Sequence, residues 1–153
     1  MENAAREISE QSRTMNKYIA IIESKFLRGI RIIGDKAAGY DFERVVHPEE
    51  VGLDPEVSHR SSPSGDRFLR RVLKRLQVNN SDTILDIGCG KGSAMRTFVK
   101  FPFRKIDGIE ISPELARIAK GNFRRMGESR ITVFEGCATK FSAYSKYSII
   151  YLY

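Results

Sequence analysis

The residues best placed to do chemistry fall in one short stretch, Ile84-Leu85-Asp86-Ile87-Gly88-Cys89-Gly90-Lys91-Gly92. An apolar run ends there in three glycines at alternate positions, and a helical pattern opens at Ser93. Glycine is required where a backbone turns sharply and a ligand approaches without interference from a Cβ atom. The helix N-terminus that follows presents free N–H groups and a partial positive charge to a carboxylate or phosphate. Glu110 stands twenty residues past Gly90, at the end of the next apolar run. A carboxylate there accepts hydrogen bonds from two ribose hydroxyls, so the ligand of this turn carries a ribose.

Asp86 narrows the choice of ligand. The dinucleotide fingerprint is G-x-G-x-x-G, but here Ser93 stands where its third glycine belongs and the spacing is G-x-G-x-G. An acid two residues ahead of the loop repels a pyrophosphate and suits a ligand that bears an ammonium group. S-adenosylmethionine carries one beside its sulfonium centre, which favours it over NAD. Cys89, Cys137, His47 and His59 form no metal-ligand spacing and no nucleophilic triad; both cysteines read as small buried or loop residues.

Strands alternating with helices must position these groups. Thr83–Ile87 reads as a buried parallel strand, Ser93–Lys100 as a helix closed by Pro102, and Lys105–Ile111 as a second strand. Ser112, Pro113 and Glu114 suit N-cap, N1 and N2 of a helix, supplying a side-chain cap, a preset φ and a negative charge. Leu115, Ile118, Ala119, Phe123 and Met126 continue that helix, and Gly127 ends it. Ile131–Phe134 and Tyr147–Tyr153 read as third and fourth strands. This alternation predicts an α/β fold, a Rossmann-like doubly wound parallel sheet of about four strands with right-handed crossovers.

The first part of the chain has another character. Met15, Tyr18, Ile19, Ile22, Phe26, Ile30 and Ile33 recur at helical spacing, with Lys17, Lys25, Arg28 and Arg31 between them. Such a basic amphipathic helix can lie on a membrane or grip a partner; the ordinary reading is an accessory helix packed on its own domain. Residues 41–57 are acidic, and Ser61-Ser62-Pro63-Ser64-Gly65 makes a turn or linker. Asp66–Leu76 reads as a helix with Phe68, Leu69, Val72, Leu73 and Leu76 on one side and Arg67, Arg70, Arg71, Lys74 and Arg75 on the other. The expected division is a helical or irregular extension over 1–60 and a ligand-binding domain over 61–153.

Composition sets the outer bounds. The chain has 153 residues, 41% hydrophobic and 29% charged, with 26 Lys+Arg against 19 Asp+Glu for a net charge of +7. This is an ordinary globular composition, neither disordered nor fibrous. Two cysteines cannot staple a secreted scaffold, and the charged N-terminus makes no signal peptide, so the expected location is a reducing cytoplasm. No window is apolar enough to predict a spanning helix. The basic face of 67–75, with Arg60, Lys91, Arg96, Lys100, Arg124 and Arg125, hints at an anionic partner.

The stretches LDIGCGKG, GIEISPELARIAKGN, FEGCATKF and YSIIYLY resemble motifs I to IV of class I S-adenosylmethionine-dependent methyltransferases. The resemblance covers residues 82–153; more loosely, residues 40–76 resemble the upstream region of bacterial members of unassigned substrate. It implies a backbone cradle for the methionine part at Gly88, Gly90 and Gly92, with Cys89 inside the same turn. It further implies that Asp86 orients the ligand's amino group, that Glu110 holds the ribose, and that Ile111 covers one face of the adenine. Cys137 stands where the family usually has an acid for the adenine amino group, leaving the backbone of Cys137 and Ala138 to make that contact. Ser148 likewise replaces an acid often found in the fourth strand.

The function implied is transfer of a methyl group from S-adenosylmethionine to an unknown acceptor. The alternatives are a non-catalytic basic interaction module on the same fold and, third, a dehydrogenase. Family members continue past the fourth strand into an acceptor-facing turn, so the chain reads as truncated. Tyr151 and Tyr153 are then the residues nearest the acceptor. The usual strand order 3-2-1-4 leaves the apolar fourth strand at an edge, where it is expected to recruit another strand or a second copy.

Overall fold

A computed structural model describes residues 26–56, 61–65 and 67–153. The expectations for residues 15–25 and for His59 and Arg60 lie outside these. The chain is helical over 26–37 (α1), turns through a short 3-10 segment at Pro48–Val51, and forms α2 at Arg67–Arg75. The alternating part then runs β1 (Thr83–Ile87), α3 (Ser93–Phe98), β2 (Lys105–Glu110), α4 (Pro113–Met126), β3 (Ile131–Glu135) and β4 (Ile149–Leu152).

All strand pairs are parallel, in the order β3-β2-β1-β4. Direction of travel across the sheet reverses between β1 and β4, the topological switch at which open α/β sheets leave a crevice beyond their carboxyl ends. The two crossovers β1–α3–β2 and β2–α4–β3 step the same way, so α3 and α4 lie on one face and share one core. That core joins Ala94, Met95 and Phe98 of α3 to Ala116, Ala119 and Phe123 of α4 over Ile84, Ile106 and Val133 of the sheet. The β3–β4 connection carries two 3-10 turns, at Ala138–Lys140 and Tyr144–Lys146. Its Tyr147 hydroxyl donates to the buried Asp107 carboxylate at 2.5 Å.

Local chemistry explains where elements end. Ser112 caps α4 by accepting from the Leu115 N–H at 3.3 Å, and Gly127 closes it with φ 66°. Helix α3 is shorter than its pattern predicts. The Arg130 guanidinium takes over the carbonyls of Val99, Phe101 and Phe103, at 2.9, 3.0 and 3.2 Å, on both sides of Pro102, which itself blocks further winding. Strand β4 starts at Ile149 because Ser148 is spent on a side-chain lock: its hydroxyl accepts from the Thr83 N–H and donates to the Thr83 carbonyl, both at 2.9 Å. The position that resembled a family acid thus fastens the edge strand to β1.

The N-terminal segment docks on this frame. Helix α1 meets the chain's own domain through its charged stripe and not through the apolar one: the Arg28 guanidinium donates to the Glu43 carbonyl at 3.0 Å, and Asp35 pairs with Arg96 at 2.8 Å. Phe42 enters the core against Phe123, with ring centroids 5.5 Å apart, and the Arg96 guanidinium lies 4.7 Å from its ring centre. Val46 and Ser61 form an isolated antiparallel bridge that closes the loop between them.

Two glycines outside the turn test how tightly this core is filled. A Cβ at Gly108 would lie 2.7 Å from both Cys89 Sγ and Met95 Sδ, whereas one at Gly121 would meet only the tip of the Arg125 side chain at 3.3 Å. Gly108→Ala is expected to lower unfolding free energy by about 1–3 kcal/mol through overpacking. Gly121→Ala should raise it by about 0.5–1 kcal/mol, because helix-interior glycine is entropically costly. Urea titration followed by circular dichroism reads both signs.

Candidate functional site

At the switch point, the carboxyl ends of β1, β2 and β4 open into a cavity of about 940 Å³. Asp86 and the Gly88-Cys89-Gly90-Lys91 turn come from β1, Glu110 and Ile111 from β2, and Leu152 and Tyr153 from β4. Residues 42–55 and 61–64 form the opposing wall, which the sequence reading had not connected with the site.

The turn is built from three glycines that do different work. Gly88, with φ 70°, has open space where a Cβ would stand, so its backbone faces the cavity directly. At Gly90 a Cβ would come within 2.5 Å of the Ser61 hydroxyl, and at Gly92 within 2.5 Å of the Phe123 ring. The first glycine therefore leaves room for a ligand, the second admits the opposing wall, and the third lets α4 pack against the turn. Gly92 does not line the cavity, unlike the other two.

Glu110 is buried and already engaged. One carboxylate oxygen accepts from the Gly90 N–H at 2.7 Å, the other from the Ser112 N–H at 2.9 Å. Each oxygen keeps lone-pair capacity for a further donor. Asp86 is also buried, and its Oδ2 has no hydrogen-bond partner. Burial, and then the neighbouring charge of Glu110, push its carboxyl well above the usual range. A buried acceptor without a donor, beside a second carboxylate, is a site electrostatically ready for a cation or ammonium donor.

The other sequence candidates separate in space. Ile111 is exposed and lines the cavity. Cys89 also lines it, but its buried sulfur packs toward Gly108, and desolvation pushes the thiol pKa up, so it is a packing residue rather than a nucleophile. Cys137 and Ala138 begin a 3-10 turn past the end of β3, outside the cavity lining. Tyr153 lines the cavity, whereas Tyr151 packs its ring edge-on against Phe98, with centroids 5.4 Å apart.

A second network joins the opposing wall to the turn. Lys91, counted in the sequence among surface cations, is buried and ion-paired with Asp41. Burial lowers its ammonium pKa, and Asp41 opposes that shift. Asn122 on α4 accepts from the Asp41 N–H at 3.0 Å and donates to the carbonyls of Asp41 and Lys91, each at 3.1 Å. Arg96 is likewise taken up by Asp35. Both cations leave the basic surface inferred from sequence, since their charge is spent inside. The acidic run at 41–57 was the available signal, because acids clustered in a basic chain have cations to meet.

Asp86 yields a signed pH prediction. Its folded carboxyl lies above the ordinary value of 3.8, so its favourable contribution is full below that value and is lost as pH rises through the raised folded pKa. Asp86→Asn keeps the shape and removes the titration. It should raise the stability of the ligand-free chain by about 1–2 kcal/mol at about pH 8. Near pH 4 the gain should vanish, and urea unfolding at the two pH values measures it.

Comparison with known proteins agrees with this geometry. Residues 84–153 match the family model described as a methyltransferase domain. A protein-lysine N-methyltransferase of Saccharolobus islandicus is 33% identical over 76 residues, which cover 48% of this chain and 47% of that protein. An O-methyltransferase of Penicillium expansum is 31% identical over 72 residues, covering 47% of this chain and 26% of that protein. The chain thus spans about half the length of the first relative and a quarter of the second. Among solved structures, a methyltransferase from Geobacter sulfurreducens in complex with S-adenosyl-L-homocysteine aligns with TM-score 0.48 at 22% identity, covering 56% of this chain and 35% of that one. The matched stretch, residues 84–153, begins in β1 and takes in the glycine turn, β2, α4, β3 and β4, so this part of the chain is similar to methyltransferase domains.

Proposed function

We propose that this chain binds S-adenosylmethionine at the β1–β2–β4 crevice and serves methyl transfer to an acceptor that enters from the side of the opposing wall. The observation that carries the reading is the convergence, at one switch-point cavity, of an open glycine backbone, an unpartnered buried Asp86 and the Glu110 carboxylate. The curated relatives bear names with nitrogen and oxygen acceptors alike, and methyl transfer is what those names have in common.

Each group then has a role set by its chemistry. The Gly88 and Gly90 backbone admits the methionine portion, and Asp86 accepts from its ammonium group, gaining the donor it lacks. Glu110 keeps its two backbone donors and takes the ribose hydroxyls on its remaining lone pairs. Ile111, which lines the cavity, covers an adenine face; Cys137 and Ala138 lie outside the lining and are given no contact in this reading. Tyr153 and the wall residues Phe42, Val51 and Leu53 exclude water around the acceptor. When bound, the cofactor supplies a methyl group activated by its sulfonium centre. What the protein adds is alignment of the acceptor and a dry surrounding, the two terms that dominate a displacement of this kind.

Titration calorimetry of the full chain with S-adenosylmethionine, S-adenosylhomocysteine and NAD tests the reading. Both sulfur nucleosides should bind and NAD should not. Glu110→Gln keeps an acceptor oxygen for the turn but loses the charge, and should weaken binding by about 10- to 100-fold. Absence of binding for either sulfur nucleoside would overturn the proposal in favour of a basic interaction module that only retains the fold.

A further inference from the structure

Helix α1 is mounted the wrong way round for an ordinary surface helix. Phe26, Ile30 and Ile33 fall at i, i+4 and i+7 and so share one stripe; they are 69%, 52% and 71% exposed. Arg28, Arg31 and Asp35 form the opposite stripe, and these residues hold the helix to the domain. Arg28 bonds the Glu43 carbonyl at 3.0 Å, Arg31 pairs with the Glu43 carboxylate at 3.7 Å, and Asp35 pairs with Arg96 at 2.8 Å. A surface helix normally turns its apolar stripe inward. Here charge does the anchoring, and the apolar stripe is uncovered among the described residues.

The sequence extends the same stripe toward the N-terminus through Met15, Ile19 and Ile22, with Lys17 and Lys25 interleaved. Arg31 and Arg96 are paired with Glu43 and Asp35, but near them Arg70 of α2 stands close enough to Lys100 that its charge, after burial, further lowers the Lys100 pKa. Lys36 adds a cation on α1 itself.

Three occupants can be weighed by charge. A second copy pairing stripe to stripe would bring two such cationic clusters together, in a chain of net charge +7. A phosphodiester backbone would use the cations and leave the stripe in water. An anionic bilayer satisfies both, the acyl boundary taking the apolar stripe and the headgroups taking the lysines and arginines. No described helix is long and apolar enough to cross a membrane, so the helix would lie on the surface. We propose that the outward face of α1 is a peripheral docking surface for an anionic lipid bilayer. This inference is independent of the cofactor reading.

Flotation of the full chain with vesicles of phosphatidylcholine containing about a third phosphatidylserine tests it. Wild type should float with these vesicles and not with phosphatidylcholine alone, and binding should fall about tenfold or more between ~0.1 and ~0.5 M salt. The double variant Ile30→Asp, Ile33→Asp alters only exposed positions. Its circular dichroism melt should match wild type while its vesicle binding falls at least about tenfold. The proposal is overturned if wild type ignores anionic vesicles, if the double variant still binds, or if phosphatidylcholine alone suffices. It is equally overturned if light scattering finds a wild-type dimer that the double variant dissolves without any vesicle binding, which assigns the stripe to a second copy.

Discussion

The buried carboxylate of Glu110 is the interaction on which the site depends. By accepting from the Gly90 and Ser112 N–H groups at once, it ties the glycine turn of β1 to the start of the helix that follows β2. A charge-assisted pair of this kind holds the turn in its open, positive-φ path without any ligand. That order has an electrostatic cost. Asp86 sits nearby with an unpartnered oxygen, so two acids share a desolvated floor. The buried cation closest in sequence, Lys91, does not relieve them because it is paired with Asp41 on the opposite wall. The floor is left ready for a positively charged ligand, which is the property a sulfonium nucleoside bearing an ammonium group would use.

The opposing wall depends on the same turn. Asn122 bonds the backbone of both Asp41 and Lys91, so α4, the N-terminal segment and the glycine turn meet at one amide. Phe42 enters the core on one side of this junction, and Arg44 to Pro55 line the cavity on the other. The acidic region, which looked like a boundary segment by composition, is thereby part of the cavity. Anchoring α1 through Arg28, Arg31 and Asp35 follows from this arrangement, since Glu43 and Arg96, its partners, belong to the same layer.

Much of the alternating half was legible beforehand because its signals are local. A buried parallel strand is a continuous apolar run, a helix after Ser112-Pro113-Glu114 announces its own cap, and a turn that must leave β1 abruptly demands glycine. Element ends were less legible where a distant side chain decided them, as Arg130 does for α3 and Ser148 for β4. The fates of Lys91 and Arg96 were hidden for the same reason. A basic residue on a helical pattern reads as solvated until the acid that buries it arrives from fifty or sixty residues away.

What the sequence by itself determined is the order of elements, the glycine turn and the placing of the two acids beside it. These are properties of neighbouring residues and of backbone freedom, and they hold whatever the chain packs against. Only the tertiary structure decided which glycine faces the cavity, which cations are free, and which side of α1 meets the domain. Those outcomes rest on long-range pairings in which burial sets the worth of a charge, and periodicity carries no record of which face a partner will cover.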